Sequence, residues 1–195
     1  MIFTLKIWKF FAIKNALKMK TLETLIFHKE RLGLMPLAIK IFSLIMKLNQ
    51  RIRTIELGDN GLGFASFQNF RTIMNLIEKQ KQLEKLFLND NNLGIGNPEN
   101  LQLFFNFLSY NNNISTLYIT NNAFGNAVFE NVNNLVKALY KNKSIKKLAI
   151  SEKGWSDTNK KILQNALENI SNISEYALSF IGCENYDFKT KKGNE

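Results

Sequence analysis

Apolar residues recur along this chain with two alternating periods. Ile52-Arg53-Thr54-Ile55-Glu56-Leu57-Gly58-Asp59-Asn60-Gly61-Leu62-Gly63 is matched, further along, by Leu83-Glu84-Lys85-Leu86-Phe87-Leu88-Asn89-Asp90-Asn91-Asn92-Leu93-Gly94. Further copies begin at Ile114 and Ile145 with the same shift, at Ile173 after a slightly shorter one, and in degenerate form at Leu22, ahead of Ile52. Inside a copy, residues two apart such as Leu86 and Leu88 face one side of an extended segment and enter a core, while Lys85, Phe87 and Asn89 face the other. The stretches between copies, such as Phe67 to Ile77, carry apolar residues three and four apart, the mark of an amphipathic helix. Counting back ten and six positions from each copy gives Ala12 and Ala16, Phe42 and Met46, Ile73 and Ile77, Phe104 and Leu108, Leu135 and Leu139, Leu163 and Leu167. Each pair is apolar and lies on one helix face. Strands starting near 22, 52, 83, 114, 145 and 173, each followed or preceded by a helix, are therefore predicted. Asn97-Pro98 and Ser156-Asp157 supply helix starts, with Pro98 in a first turn where its missing N–H costs nothing.

Each copy reads L-x-x-L-x-L-x-x-N-x-L-G, and this pattern resembles the leucine-rich repeat, of the ribonuclease-inhibitor-like type with a helix in every repeat. The resemblance covers nearly the whole chain. It implies an α/β solenoid, a right-handed βα arc with parallel strands on the concave face and helices on the convex face. A single repeat cannot stand alone, since its open core edge needs a neighbour to cover it. Asn60, Asn91 and Asn122 match the family's ladder position, where an amide both donates to and accepts from the backbone of adjacent turns. Glu30, Lys153 and Ile181 replace it in the other copies, so less regular turns are expected at both ends. The expected organisation is residues 1–20 as the N-terminal helix of an incomplete capping repeat, 21–186 as the array, and 187–195 as a polar C-terminal tail.

Composition alters this picture little. A chain of 195 residues that is 45% apolar suffices for one continuous core. The single Cys183 points to a reducing compartment, and the Asn-x-Ser triplets at Asn113, Asn142, Asn169 and Asn172 are what an Asn-rich chain produces by chance. Abundant Asn, Lys, Ile and Phe resemble the products of AT-rich genomes. The net charge of +10 raises the question of nucleic acid or anionic membrane, but the excess falls on helix ends, loops and termini: Lys79, Lys81, Lys137, Lys141, Lys143, Lys160, Lys161, Lys189, Lys191 and Lys192. Lysines near helix C-termini complement the macrodipole, and nucleic-acid binding is not expected. No stretch approaches the roughly 18 apolar residues of a membrane span, and Lys6, Lys9 and Lys14 interrupt the N-terminal run before an export signal could form.

The non-core strand positions are where the family usually recognises partners. The central row is Ile26, Glu56, Phe87, Tyr118, Ala149 and Ala177, flanked by Thr24, Thr54, Lys85, Thr116, Lys147 and Glu175 and by His28, Gly58, Asn89, Thr120, Ser151 and Ser179. Phe87 and Tyr118 would stand side by side and anchor an interface, with Glu56, Lys85, Asn89, Thr116, Thr120 and Lys147 around them; a purely cross-strand packing role is the alternative. Asp59, Asp90, Asn121 and Glu152 form either an acidic rim or ordinary turn chemistry. Trp155 and Cys183 fill the core position of Leu32, Leu62, Leu93 and Phe124. Gly58, Gly61 and Gly63 match no phosphate loop, and Gly63 recurs as Gly33, Gly94 and Gly125, so they belong to the repeat turn. One His28 beside Glu30 falls short of a metal site, and no nucleophile has an identifiable base. Neither a metal, a cofactor nor catalysis is therefore expected. The reading is a monomeric, cytoplasmic protein-interaction module, in one version a bacterial effector acting on a host protein in the host cytosol; the length leaves no room for an effector ligase domain. Two alternatives remain: a membrane-surface adaptor using the basic amphipathic segment with Trp8, Phe10 and Phe11, and a regulator of a small GTPase, for which Arg31, Arg51, Arg53 and Arg71 offer no recognisable finger motif.

Overall fold

A computed structural model describes residues 2–4, 22–125, 129–151, 155–178, 180–181, 185–186 and 188–190. Among the described residues, seven parallel strands run side by side: β1 (Ile2–Thr4), β2 (Thr24–Ile26), β3 (Thr54–Glu56), β4 (Lys85–Phe87), β5 (Thr116–Tyr118), β6 (Lys147–Ala149) and β7 (Glu175–Ala177). They lie in sequence order and do not close into a barrel. From β2 to β6 each strand leads to a helix on the other layer: α1 (Pro36–Leu48), α2 (Phe67–Glu78), α3 (Pro98–Tyr110), α4 (Phe129–Lys141) and α5 (Asp157–Asn169). The chain is thus an α/β solenoid arc, with each helix packed on its sequence neighbours.

Local chemistry explains where these helices begin. Ser66 accepts a hydrogen bond from the Asn69 N–H, Asn97 from Glu99 and Ser156 from Asn159, so a side-chain oxygen covers an orphan donor at three helix starts. α1 and α3 carry Pro36 and Pro98 at their first turns. The helix faces turned to the strands are the predicted ones: Phe42, Met46, Ile73, Ile77, Phe104, Leu108, Leu135, Leu139, Leu163 and Leu167 are all buried. Facing them is a strand row in strict register, Leu25, Ile55, Leu86, Leu117, Leu148 and Tyr176, also buried. Trp155 fills its expected core position, whereas Cys183 lies outside the described residues.

The three ladder asparagines tie successive turns together. The Asn91 Oδ1 accepts from the N–H groups of Asn60 and Leu62 in the preceding repeat, and its Nδ2 donates to the carbonyls of Leu57, Leu88 and Asn89. Asn60 does the same for Glu30, Leu32 and the Phe27 and Gly58 carbonyls, and Asn122 for Asn91, Leu93 and the Leu88 and Thr120 carbonyls. A second amide row, not anticipated from the motif, runs along the helix ends at Asn49, Gln80, Asn111 and Asn142, spaced at the same interval as the repeat itself. Gln80 Nε2 reaches back to the Met46 carbonyl at 2.9 Å, and Asn142 Nδ2 to Leu108 and Asn111 at 2.7 and 2.8 Å. These repeats are therefore hydrogen-bonded to their predecessors at the strand end, the helix end or both.

Both chain ends add strands to the sheet. Ile2–Thr4, expected from sequence to belong to a capping helix, is a strand in register with Thr24–Ile26; the edge of β2 offers unpaired backbone groups, and pairing satisfies them. Residues 5–20, where the rest of that helix was expected, lie outside the described residues. Within the expected polar tail, residues 188–190 are described and lie against the array. β8 (Phe180–Ile181) pairs antiparallel with β9 (Asn185–Tyr186), and β10 (Lys189–Thr190) then pairs antiparallel with β7, Lys189 with Tyr176 and Thr190 with Glu175. The outer edge of β7 is thus covered by antiparallel chain.

The amide ladder predicts an asymmetric response to substitution. Asn91→Ala should cost about 3 kcal/mol or more in urea unfolding, because it strands two buried N–H donors and several carbonyls, whereas exposed Asn112→Ala should stay within about 0.5 kcal/mol.

Candidate functional site: the concave strand face

Strand register brings the central row into one line: Ile26, Glu56, Phe87, Tyr118, Ala149 and Ala177 are consecutive partners across the sheet. The first four are half-buried. Phe87 and Tyr118 stack with ring centroids 4.4 Å apart and planes inclined by 15°. Such a contact stabilises the sheet locally, yet it leaves the rings partly exposed. Glu56 is the neighbour of Phe87 on the other side.

The flanking positions divide into available and committed side chains. Lys85 is exposed and Thr116 half-buried beside it. Lys147 forms an ion pair with Glu175 on the next strand, Nζ to Oε2 at 2.7 Å. Asn89 is half-buried, and its Oδ1 receives both the N–H and the hydroxyl of Thr120. Thr120 is itself buried, so of the residues expected around the aromatic pair it offers the least surface to a partner. Gly58 leaves room for the His28 ring: a Cβ there would meet Nδ1 at 2.6 Å. Arg53, just before β3, pairs with Glu84; Arg31, Arg51 and Arg71 are exposed.

The rim residues show why turn chemistry selects them. Asp59, Asp90 and Asn121 share a left-handed backbone with φ of 53°, 58° and 55°, a conformation that Asn and Asp tolerate better than other non-glycine residues. Asp59 also lies 4.0 Å from Lys29 Nζ. Glu152 is outside the described residues. The repeat glycines are required by close approach: a Cβ at Gly33 or Gly94 would lie 2.5 Å from a carbonyl oxygen of the next repeat, Gly61 and Ala123 respectively. Among the described residues no three His, Cys, Asp or Glu side chains gather closely enough to hold a metal ion, and no helix is long and apolar enough to cross a membrane.

Two features escaped sequence reasoning. Leu34, Phe64 and Ile95 each follow a repeat glycine and stand more than half exposed on three successive repeats; the periodicity that located the core also marked them, but they fall one position outside the motif. The second is Phe188, whose ring meets Tyr118 edge-on at 6.0 Å and 80° and lies under the Lys147 ammonium, 3.8 Å from Nζ to ring centroid. An aromatic residue in a polar tail was its only sequence signal.

With strands, ladder and concave face in place, comparison with known proteins places the fold. The chain is similar to the leucine-rich repeat-containing protein LegL7 from Legionella pneumophila, at 16% identity and a TM-score of 0.57, over 85% of this chain and 60% of that one. The chain thus spans about 60% of the length of that solved structure. No protein-family model matches the sequence, and no curated protein matches it. The architecture is a leucine-rich-repeat solenoid, as the L-x-x-L-x-L-x-x-N-x-L-G pattern implied.

The aromatic stack should be measurable by itself. In urea unfolding, Phe87→Ala and Tyr118→Ala are expected to couple by about 0.5–1.5 kcal/mol in a double-mutant cycle; strict additivity would mean that the rings do not stabilise one another.

Proposed function

We infer that this chain is a protein-interaction module, not an enzyme, and that it binds its partner on the concave strand face around Phe87 and Tyr118. The observation that carries the reading is the stacked aromatic pair, placed mid-sheet on the open side of the arc. Aromatic rings at the centre of a surface, surrounded by polar groups, are the residues that anchor protein interfaces. Lys85, Thr116, Glu56 and Asn89 supply that surround, and Lys147 borders it. Glu56 and Lys85 differ in sign, which favours a partner read by shape and paired charges over a polyanion. The sequence composition favours one specific form, a bacterial effector meeting a host protein in the host cytosol.

The reading is tested by affinity capture from eukaryotic cytosolic extract and, in parallel, from bacterial lysate. Wild type and the convex-side control Lys161→Glu should retain the same protein. The folded Phe87→Ala, Tyr118→Ala double variant should bind that protein about 30-fold more weakly or worse, the effect of losing an anchor of about 2 kcal/mol. Equal retention by all three would sink the concave-face reading, and a partner found only in bacterial lysate would sink the effector form of it.

A further inference from the structure

The C-terminal end of the concave face is already occupied, and by this chain itself. Extending the β7–β10 register by one residue sets Phe188 opposite Ala177. Strand alternation then puts its side chain on the concave side, with Thr190 and Glu175, and the contacts to Tyr118 and Lys147 agree with that placement. Tyr118 lies three strands from β10, about 14 Å at ordinary strand spacing. A phenylalanine touches a ring at that remove only if the intervening row is low and the neighbouring ring leans toward it. The intervening residues are Ala177 and Ala149, the two smallest of the central row, and although they face the concave side they are 1% and 0% exposed. Larger side chains at those positions, like the Phe87 and Tyr118 that precede them, would fill the space.

We propose that Tyr118, Lys147, Ala149 and Ala177 form a slot for an aromatic side chain carried on an extended segment, that Phe188 is its built-in occupant, and that a partner presents an aromatic residue of its own in place of Phe188. This rests on the concave-face reading and specifies the chemistry of the partner. The slot has a floor of methyl groups, an aromatic wall and a cation, which together favour a ring over an aliphatic side chain. The strand that follows the occupant is short. Among the described residues β10 pairs with β7 at two positions, and both of its residues are exposed. When it leaves, the edge of β7 is open to backbone pairing by the incoming segment, a common way of binding extended peptides. A tethered occupant acts at an effective concentration in the roughly mM range, so it screens out weak ligands and yields to a tighter one.

The test needs no knowledge of the partner. A peptide of residues 185–191 is titrated into full-length protein bearing isotopically labelled alanine methyl groups. In Phe188→Ala, the Ala149 and Ala177 methyl signals should move from their wild-type positions and return toward them as peptide is added. Wild type should require about tenfold more peptide for displacement, as expected if its slot is some nine-tenths filled. A peptide with alanine in place of the phenylalanine should have no effect, and Tyr118→Ala, Phe188→Ala protein should respond weakly. Absence of the methyl shifts, equal titration of both proteins, or equal action of the ring-less peptide would each overturn the slot. Should Phe188→Ala not fold, wild type decides: saturating peptide should raise amide exchange at 188–190, and unchanged exchange overturns the proposal. The two readings fail separately, because a captured partner that needs Phe87 and Tyr118 but binds wild type and Phe188→Ala equally leaves the concave face standing and removes the slot.

Discussion

Asn91 is buried between two turns of the chain, where every hydrogen-bonding group it lacks a partner for would cost free energy. It resolves this by binding the backbone of its own turn and that of the turn before, and Asn60 and Asn122 repeat the arrangement on either side. Because each amide reaches one repeat back, the turns lock at a constant offset. The strands that enter those turns then lie in strict succession, and the leucines below them form a single row. The second amide row, at Gln80 and Asn142, holds the helix ends to the same spacing.

Constant offset is also what makes the concave face usable. A side chain at one strand position recurs beside its equivalents on the neighbouring strands, so Phe87 and Tyr118, a full repeat apart in sequence, become stacked rings. The same rule sets two alanines side by side at the other end, and there the regular row of side chains dips. There the chain reverses: β10 runs antiparallel on β7 and brings Phe188 over the dip. Covering of the β7 edge and occupancy of the concave face are therefore one structural event, with Lys147 serving both as partner to Glu175 and as cation over the ring.

The strand and helix faces were legible in the sequence because their signals are local. A residue two or four positions away decides which side an apolar group faces, and self-similarity at a fixed interval sets the register without any long-range information. Phe87, Tyr118, Glu56 and Lys85 could be assigned to one surface for the same reason. Alternation assigns Thr120 to that surface too, but burial depends on what lies above a residue, and the hydroxyl is drawn to Asn89. The amide row at the helix ends is present in the spacing, yet it lies outside the strand motif and carries no signal that distinguishes a buried amide from an exposed one.

What the sequence determined by itself, then, is everything that follows from periodicity: the repeat length, the core rows, the ladder asparagines and the membership of the concave face. Only the tertiary structure decided how the outermost strands of the sheet are paired. The pairing of Ile2–Thr4 with β2 and of Lys189–Thr190 with β7 follows no repeat, since a strand edge accepts whatever chain can reach it in either direction. Phe188 meets Tyr118 because of where the chain reverses and how small its neighbours are, and both are properties of distant residues brought together by folding.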